Sequence, residues 1–365
     1  MRVLVLAADY VPGAWSGIGA AVASQTAAVA RQGVAVDLML PAARPAPPAP
    51  RTTRLRTHAL SPARFPVPPR VFDVVHLHSL GFSELALQLR SRFGVPLVYT
   101  AHASLHAEAP QFSRISGWGA VQDRVLARSE HVLFPSAAER TAALVRLPEL
   151  RFRSSVHPNG IARGAPRRAL RASTGPIVFA GRFTESKGVL LLSEIVDRLG
   201  DHPDLRFVLA GGHGDELGGR IVAKLLRRHP DRCRSVGWLA PETLERLFGD
   251  ASMVLVPSRY EPFGMVALEA MRAGAPVIAA SVGGLREVVG PGAGGILVGE
   301  NSPDGWCAAI LRLWHSPGLR AELARRGPIH VAERYEPDVL ARSLVEDVYR
   351  PLAMRQHDLA TARTA

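Results

Sequence analysis

Short runs of consecutive apolar residues alternate with helical segments along this chain, and the alternation occurs twice. Residues 3–8, 34–40, 74–77, 97–100 and 131–135 read as strands, the first followed by an Ala-rich helix over about 20–32. Strands that are apolar at every position are covered on both faces, and an intervening helix supplies the crossover that a parallel sheet needs. The pattern restarts at 177–180 and continues at 206–210, 235–236, 253–256 and 277–279. The segment 164–175 is basic and lacks apolar periodicity, so it reads as a linker, and 41–50 is a Pro-rich loop. The expected architecture is α/β, with two Rossmann-like doubly wound domains, residues 1–165 and 166–335, facing a central cleft where ligands meet the carboxyl ends of the strands. Leu340, Leu344 and Val348 share one face of a last helix over about 337–354, and the tail from Arg355 to Ala365 is expected to be loose.

At 365 residues the chain has room for two domains of ordinary size, and 47% hydrophobic against 21% charged residues is a globular composition. Aromatic residues make up only 6%, which argues against a stacking platform for nucleic acid. The formal net charge is +12, and 42 of the 44 basic residues are Arg. Heavy use of Ala, Arg and Pro points to a high-GC genome of actinobacterial type. The charge is uneven: residues 1–165 carry +9 and residues 166–365 carry +3. A basic first half suits an anionic acceptor or a membrane surface, and a solvated Arg-rich face equally. No compact run of like charge marks a nucleic-acid arm. Cys233 and Cys307 have neither metal-ligand nor redox spacing, and a reduced, cytoplasmic protein is expected. The apolar run at 3–8 is too short for a signal-peptide core, and no stretch approaches the ~20 apolar residues of a membrane span.

The chemistry concentrates in Glu261-Pro-Phe-Gly-Met-Val-Ala-Leu-Glu269. Pro262 suits the first position of a helix, so a helix is predicted to begin near Phe263. Its first amides, those of Gly264, Met265 and Val266, then form an anion site. Glu269 lies a further ~6–8 Å along the axis at about 1.5 Å per residue, the gap between a nucleotide's diphosphate and its ribose diol. Glu261, on the loop before the helix, reaches for a sugar hydroxyl on the other side of the diphosphate. A second cluster is Phe179-Ala-Gly-Arg-Phe-Thr-Glu-Ser-Lys-Gly188, which sets Arg182 and Lys187 just beyond a predicted strand end. A chain so rich in Arg keeps Lys at 187, where a compact point charge suits a leaving diphosphate. In the first half, Gly17 and Gly19 of Ser16-Gly-Ile-Gly19 let backbone amides approach a phosphate. Three histidines, His76, His78 and His102, close two predicted strands. No carboxylate joins them at ligand spacing, so no metal site is expected. The full Gly-x-Gly-x-x-Gly fingerprint is missing, and Asp37 lies inside the second strand rather than at its end, which disfavours NAD.

The Glu261–Glu269 spacing, with Arg182, Lys187-Gly188, Val236-Gly-Trp238 and Val282-Gly-Gly-Leu-Arg-Glu287, resembles the retaining glycosyltransferases of family 4. The resemblance covers most of the chain. It implies the GT-B fold, a first domain for the acceptor, a second for a nucleotide-sugar, and a C-terminal helix (336–365 with the tail) that crosses back to the first domain. It implies that Arg182 and Lys187 hold the donor diphosphate, that Glu261 holds a donor-sugar hydroxyl and Glu269 the ribose. It also gives His102 a polar contact to the donor sugar or phosphate, and places the loop of Trp238 at the base. Where the family has Gly-Gly, this chain has Ser16-Gly17, and Asp215 stands in place of a Pro after Gly214. The implied reaction is metal-independent and retaining, and it moves a hexose or N-acetylhexosamine from a UDP-sugar without a resident cofactor. The acceptor is expected to be a small natural product of the aminocyclitol or aminoglycoside kind. Alternatives are a membrane-associated transferase acting on an anionic lipid-linked acceptor and a GT-B sugar-nucleotide epimerase. A nucleic-acid partner is not expected, while peripheral membrane contact stays open.

Overall fold

The structure is a computed structural model that describes residues 1–8, 17–41, 54–60, 72–108, 117–162 and 175–364. The chain forms two compact units, Met1–Gly160 with Tyr335–Ala365, and Ile161–Arg334.

In the first unit, seven strands are β1 (Arg2–Leu6), β2 (Ala35–Pro41), β3 (Leu55–Leu60), β4 (Val74–Leu77), β5 (Leu97–Thr100), β6 (His131–Phe134) and β7 (Ser154–Val156). They are hydrogen-bonded in the order β3-β2-β1-β4-β5-β6-β7, every pair parallel. Side chains alternate across a strand, so β1 feeds two cores. Val3 and Val5 pack with Val22, Val29 and the C-terminal residues Leu344, Val348 and Tyr349. Leu4 and Leu6 pack on the opposite face with Phe82, Leu89 and Leu126. Fully burying each such side chain contributes about 1.5–3 kcal/mol, which explains why the run is apolar at every position.

The second unit carries β8 (Ile177–Phe183), β9 (Phe207–His213), β10 (Cys233–Gly237), β11 (Met253–Val256), β12 (Val277–Ala280) and β13 (Gly295–Val298). The order is β10-β9-β8-β11-β12-β13, again all parallel. Strand order therefore reverses between β1 and β4 in one sheet and between β8 and β11 in the other. Crevices at such switch points bind ligands in doubly wound sheets.

Several sequence expectations need correction. Strands β3, β7 and β13 were not anticipated. Strands β8 and β9 each run three residues further than expected, pairing Gly181 with Gly211, Arg182 with Gly212 and Phe183 with His213. Glycine is depleted in strands, so the run disguises the extension. Gly211 is also obligatory, because a Cβ on it would stand 1.9 Å from the Gly181 carbonyl oxygen. The first helix is Gly17–Arg31, so Gly17 and Gly19 lie in its opening turn rather than in a preceding loop. At the C-terminus, helix Pro337–Ser343 passes into a π-helical turn, Leu344–Tyr349, and helix Arg350–Thr364 takes up the stretch expected to be a loose tail. Ser16, nearly all of the Pro-rich loop and the expected linker apart from Gly175 lie outside the described residues.

Candidate active site

In the second unit the switch point brings together two loops that are far apart in sequence. After β8, Thr184 caps a one-turn 3-10 helix, Glu185–Lys187, by accepting from the Lys187 amide, and Gly188 follows at φ +78°. After β11 comes Pro257-Ser258-Arg259-Tyr260-Glu261. A Cβ on Gly188 would lie 1.9 Å from the Pro257 carbonyl oxygen, so only glycine permits this approach. The Arg259 amide donates to the Ser186 carbonyl at 2.8 Å, and the Arg259 guanidinium pairs with Glu185. The Gly284 amide donates to the Glu261 carbonyl at 2.9 Å. Gly283 sits at φ +46°, with the same carbonyl oxygen 2.2 Å from where its Cβ would be. The Gly283-Gly284 turn thus holds the backbone of Glu261 in place.

These clamps join the side chains of Lys187 and Glu261. Lys187 Nζ donates to Glu261 Oε2 at 2.7 Å, and Ser258 Oγ donates to the same oxygen at 3.2 Å. Both charges are largely shielded from solvent, with side-chain exposures of 25% and 12%. Arg182, the penultimate residue of strand β8, is exposed.

The helix after Glu261 is Met265–Arg272, with Gly264 as its N-cap at φ +111°. It begins two residues later than the sequence suggested, and Pro262 lies in the turn before it instead of at the first helical position. A Cβ on Gly264 would meet Leu285 Cδ2 at 2.6 Å. The Leu268 amide is the first to reach back, donating to the Gly264 carbonyl at 3.1 Å. The intrahelical ladder therefore has no place for the amides of Met265, Val266 and Ala267. The sequence reading named Gly264, Met265 and Val266, and Ala267 joins them once the helix start is known.

Glu269 lies one turn into this helix and is half-buried. Burial pushes its carboxyl up to about 7; Arg272 opposes that shift and Glu245 adds to it. Trp238, just past β10, is 47% exposed. Its indole covers Gly212, where a Cβ would come within 2.4 Å of the indole Nε1.

In the first unit, histidines gather at the carboxyl ends of β4, β5 and β7. His76 is fully buried, with Nδ1 2.5 Å from the Tyr349 hydroxyl and Nε2 2.7 Å from the Thr100 hydroxyl. Its ring lies 4.1 Å from that of His78. His78 Nδ1 is 3.0 Å from His102 Nε2. Among the described residues neither His78 Nε2 nor His102 Nδ1 has a hydrogen-bond partner. Burial lowers His102 and His157 to about 4, and burial with the neighbouring rings takes His76 and His78 well below the ordinary range. All four are thus neutral at pH 7. The sequence reading missed His157, because the short strand β7 that precedes it went unrecognised. Gly17 and Gly19 open the helix that follows β1, Gly17 exposed and Gly19 buried. Asp37 is not a nucleotide ligand: it is buried and bonded to Arg2 at 2.6 Å and to His58 at 2.7 Å. Among the described residues no group of three or more His, Cys, Asp or Glu side chains is arranged to hold a metal, and no helix is long and apolar enough to cross a membrane.

Residues 168–330 match the glycosyl transferases group 1 model, and residues 16–160 match the glycosyl transferase 4-like domain. An uncharacterized glycosyltransferase of Methanocaldococcus jannaschii is 34% identical over 175 residues, 48% of this chain and 44% of that protein. The D-inositol 3-phosphate glycosyltransferase of Rhodococcus erythropolis is 31% identical over 320 residues, covering 80% of this chain and 70% of that one. A glycogen synthase of Mycobacterium tuberculosis is 33% identical over 267 residues, 69% of this chain and 63% of that enzyme. Among solved structures, sucrose-phosphate synthase from Thermosynechococcus elongatus superposes with a TM-score of 0.80 at 24% identity, covering 96% of this chain and 99% of that one. HepE from Anabaena, solved with UDP-glucose, gives 0.75 at 20% identity, with 95% and 99% covered. The fold is GT-B, and the chain belongs to the group 1, 4-like family of glycosyltransferases, whose members are retaining hexosyl-transferring enzymes.

Proposed function

We propose that this enzyme transfers a hexose or N-acetylhexosamine from a UDP-sugar to a hydroxyl of a small polyol, with retention of anomeric configuration. The observation that supports this most directly is the 2.7 Å contact of Lys187 with Glu261 at the β8/β11 switch point, next to the helix N-terminus at Met265. In this reading Lys187, Arg182 and the amides of Gly264, Met265 and Val266 take the diphosphate, with Ala267 beside them. They stabilise the charge that grows as the sugar–phosphate bond lengthens, usually the largest catalytic contribution. Glu261 binds a donor-sugar hydroxyl, Glu269 the ribose diol, and the loop at Trp238 the base. The departing phosphate takes the proton of the acceptor hydroxyl on the face it leaves, so the new bond forms with retention. In the first unit, neutral His102 and the opening turn of the helix at Gly17 and Gly19 are the groups suited to a polar contact with the donor sugar or phosphate.

The donor nucleotide is argued from HepE, whose solved complex holds UDP-glucose. A small acceptor of the cyclitol class is argued from the Rhodococcus relative, which acts on D-inositol 3-phosphate. The basic first half of this chain suits an anionic one of that kind. A thermal-shift series with UDP, GDP, ADP and NAD tests the donor, because a ligand that binds only the folded state raises the melting temperature. UDP is expected to give the largest shift, and a shift with NAD alone overturns the assignment. Incubation with UDP-glucose or UDP-N-acetylglucosamine and a panel of inositol phosphates, aminocyclitols and glycogen then reads the acceptor by mass spectrometry. Lys187→Ala is expected to lower turnover at least ~100-fold with the fold intact, and normal turnover in that variant refutes the diphosphate role.

A further inference from the structure

Glu261 is fixed at its backbone and held by only one of its two carboxylate oxygens. Its carbonyl takes the Gly284 amide at 2.9 Å, and the loop behind it is tied down by the Arg259 amide on Ser186. Oε2 accepts from both Lys187 Nζ and Ser258 Oγ, at 2.7 Å and 3.2 Å. Oε1 takes no hydrogen bond from the described residues. The two donors on Oε2 differ in kind. Lys187 is a flexible cation, partly open to solvent, which the proposed function sends to the diphosphate. Ser258 is 2% exposed, belongs to the clamped loop, and has no other side-chain partner among the described residues. When the diphosphate draws Lys187 away, Ser258 is the group that remains on Oε2.

We propose that Ser258 is a positioning residue for the donor sugar: its hydroxyl holds Oε2 so that Oε1 stays presented to a sugar hydroxyl after Lys187 has moved to the diphosphate. The inference rests on the reading that Glu261 meets the donor sugar and Lys187 the diphosphate. Without the serine, the Glu261 side chain regains rotamer freedom once Lys187 moves, and ordering it again costs sugar recognition but not diphosphate recognition. The signature is a loss confined to the extra affinity that the sugar adds to the nucleotide.

Isothermal titration of wild type, Ser258→Ala and Ser258→Thr tests this, using UDP and UDP-glucose, with GDP/GDP-mannose and ADP/ADP-glucose alongside. Wild type is expected to bind one nucleotide-sugar more tightly than its nucleotide. Ser258→Ala is expected to keep nucleotide affinity within about twofold while weakening the nucleotide-sugar about five- to tenfold, with its melting temperature unchanged. Ser258→Thr, which keeps the hydroxyl, is expected to restore most of the loss. Equal weakening of both ligands in Ser258→Ala, no weakening of either, or failure of Ser258→Thr to rescue overturns the positioning role. A wild type that binds none of the pairs, or never prefers the sugar form, overturns the underlying reading of the site and the role of Ser258 with it.

Discussion

Replacing Glu261 by Gln should tighten binding of UDP while weakening the contribution of the sugar. In the free protein, Lys187 already has a counterion 2.7 Å away. A diphosphate must compete for that cation and also approach the carboxylate. At 2.7 Å and an effective dielectric of about 20, the direct attraction of the pair is roughly 6 kcal/mol. Most of this does not appear as a net gain, because separating the pair re-solvates both charges and Lys187 exchanges one anion for another. A charge-assisted hydrogen bond nets about 1.5–3 kcal/mol, and the amide oxygen of Gln keeps part of it. The remaining benefit to UDP is about 1–1.5 kcal/mol, or five- to tenfold in Kd. Removing the repulsion between Glu261 and the phosphates acts in the same direction.

Calorimetric titration of UDP into wild type and Glu261→Gln at one pH and ionic strength measures this. The fold should be unaffected, since the substitution is isosteric and Ser258 can still donate to the side-chain oxygen. The gain should shrink at high salt, because Lys187 is partly exposed and screened there. The same variant should lose turnover, since the amide no longer offers a charged acceptor to the sugar hydroxyl. UDP binding that is unchanged or weaker in Glu261→Gln refutes the argument that Lys187 is held by Glu261 until the diphosphate arrives.

Other expectations follow from the same geometry. Gly188→Ala places a methyl group 1.9 Å from the Pro257 carbonyl at φ +78°; it should destabilise the second unit by ~3 kcal/mol or more in urea unfolding, and a loss under ~1 kcal/mol shows that the two loops separate easily. Glu269, pushed up to about 7 by burial, accepts from both hydroxyls of a ribose diol only when ionised. UDP affinity should therefore rise several-fold between pH 6 and 8, and Glu269→Gln should flatten that rise; an identical pH profile in the variant counts against the ribose contact. The neutral histidines set the acid limit of the first unit. His102 and His157 are depressed to about 4, and His76 and His78 also lie well below their ordinary range. The unfolded chain therefore binds more protons as pH falls below about 6.5, and the stability present above that pH is lost on the way to about 4. His102 and His157 alone, each costing about 2 kcal/mol, predict a drop of about 4 kcal/mol between pH 7 and 5, to which His76 and His78 add, read as a falling melting temperature while the histidine ring resonances stay untitrated by NMR. A flat melting curve over that range contradicts the burial of these rings.

The sheets and the donor cluster were largely legible, for different reasons. The central strands β1, β4, β5, β8, β11 and β12 are apolar at nearly every position because both faces are covered, and no other local structure accounts for runs that short. The edge strands β3 and β13 and the outer β7 carry less of that signal, since a strand at the margin of a sheet is covered less completely. The sequence places Arg182 just beyond a strand end because glycines at 181, 211 and 212 look like a break. They continue the ladder instead, and at Gly211 only glycine lets β8 and β9 stay paired, because a Cβ there would meet the Gly181 carbonyl. The cluster around Lys187 and Glu261 was readable because each half has its own local spacing, one Lys-Gly turn and one Glu-Pro-x-Gly turn. That the two side chains meet, with Ser258 on the same oxygen, is a tertiary fact with no local signal.

The histidines show where such reading stops and why. His76 lies on β4 and His78 just past its end, so their alternation was visible. The side chains that define their environment come from elsewhere: His102 after β5, His157 after an unrecognised strand, and Tyr349 from 273 residues beyond His76. Tyr349 sits in the last residue of a π-helical turn, and such turns commonly aim a side chain that a regular helix would misplace. In a 3.6-residue reading, Leu340, Leu344 and Val348 explain the apolar face and Tyr349 is left over. The structure instead buries Tyr349 against the first sheet and gives its hydroxyl to His76. The C-terminal segment therefore does more than cover apolar surface. By holding His76, on which the ring of His78 packs, it helps fix the ring that hydrogen-bonds to His102.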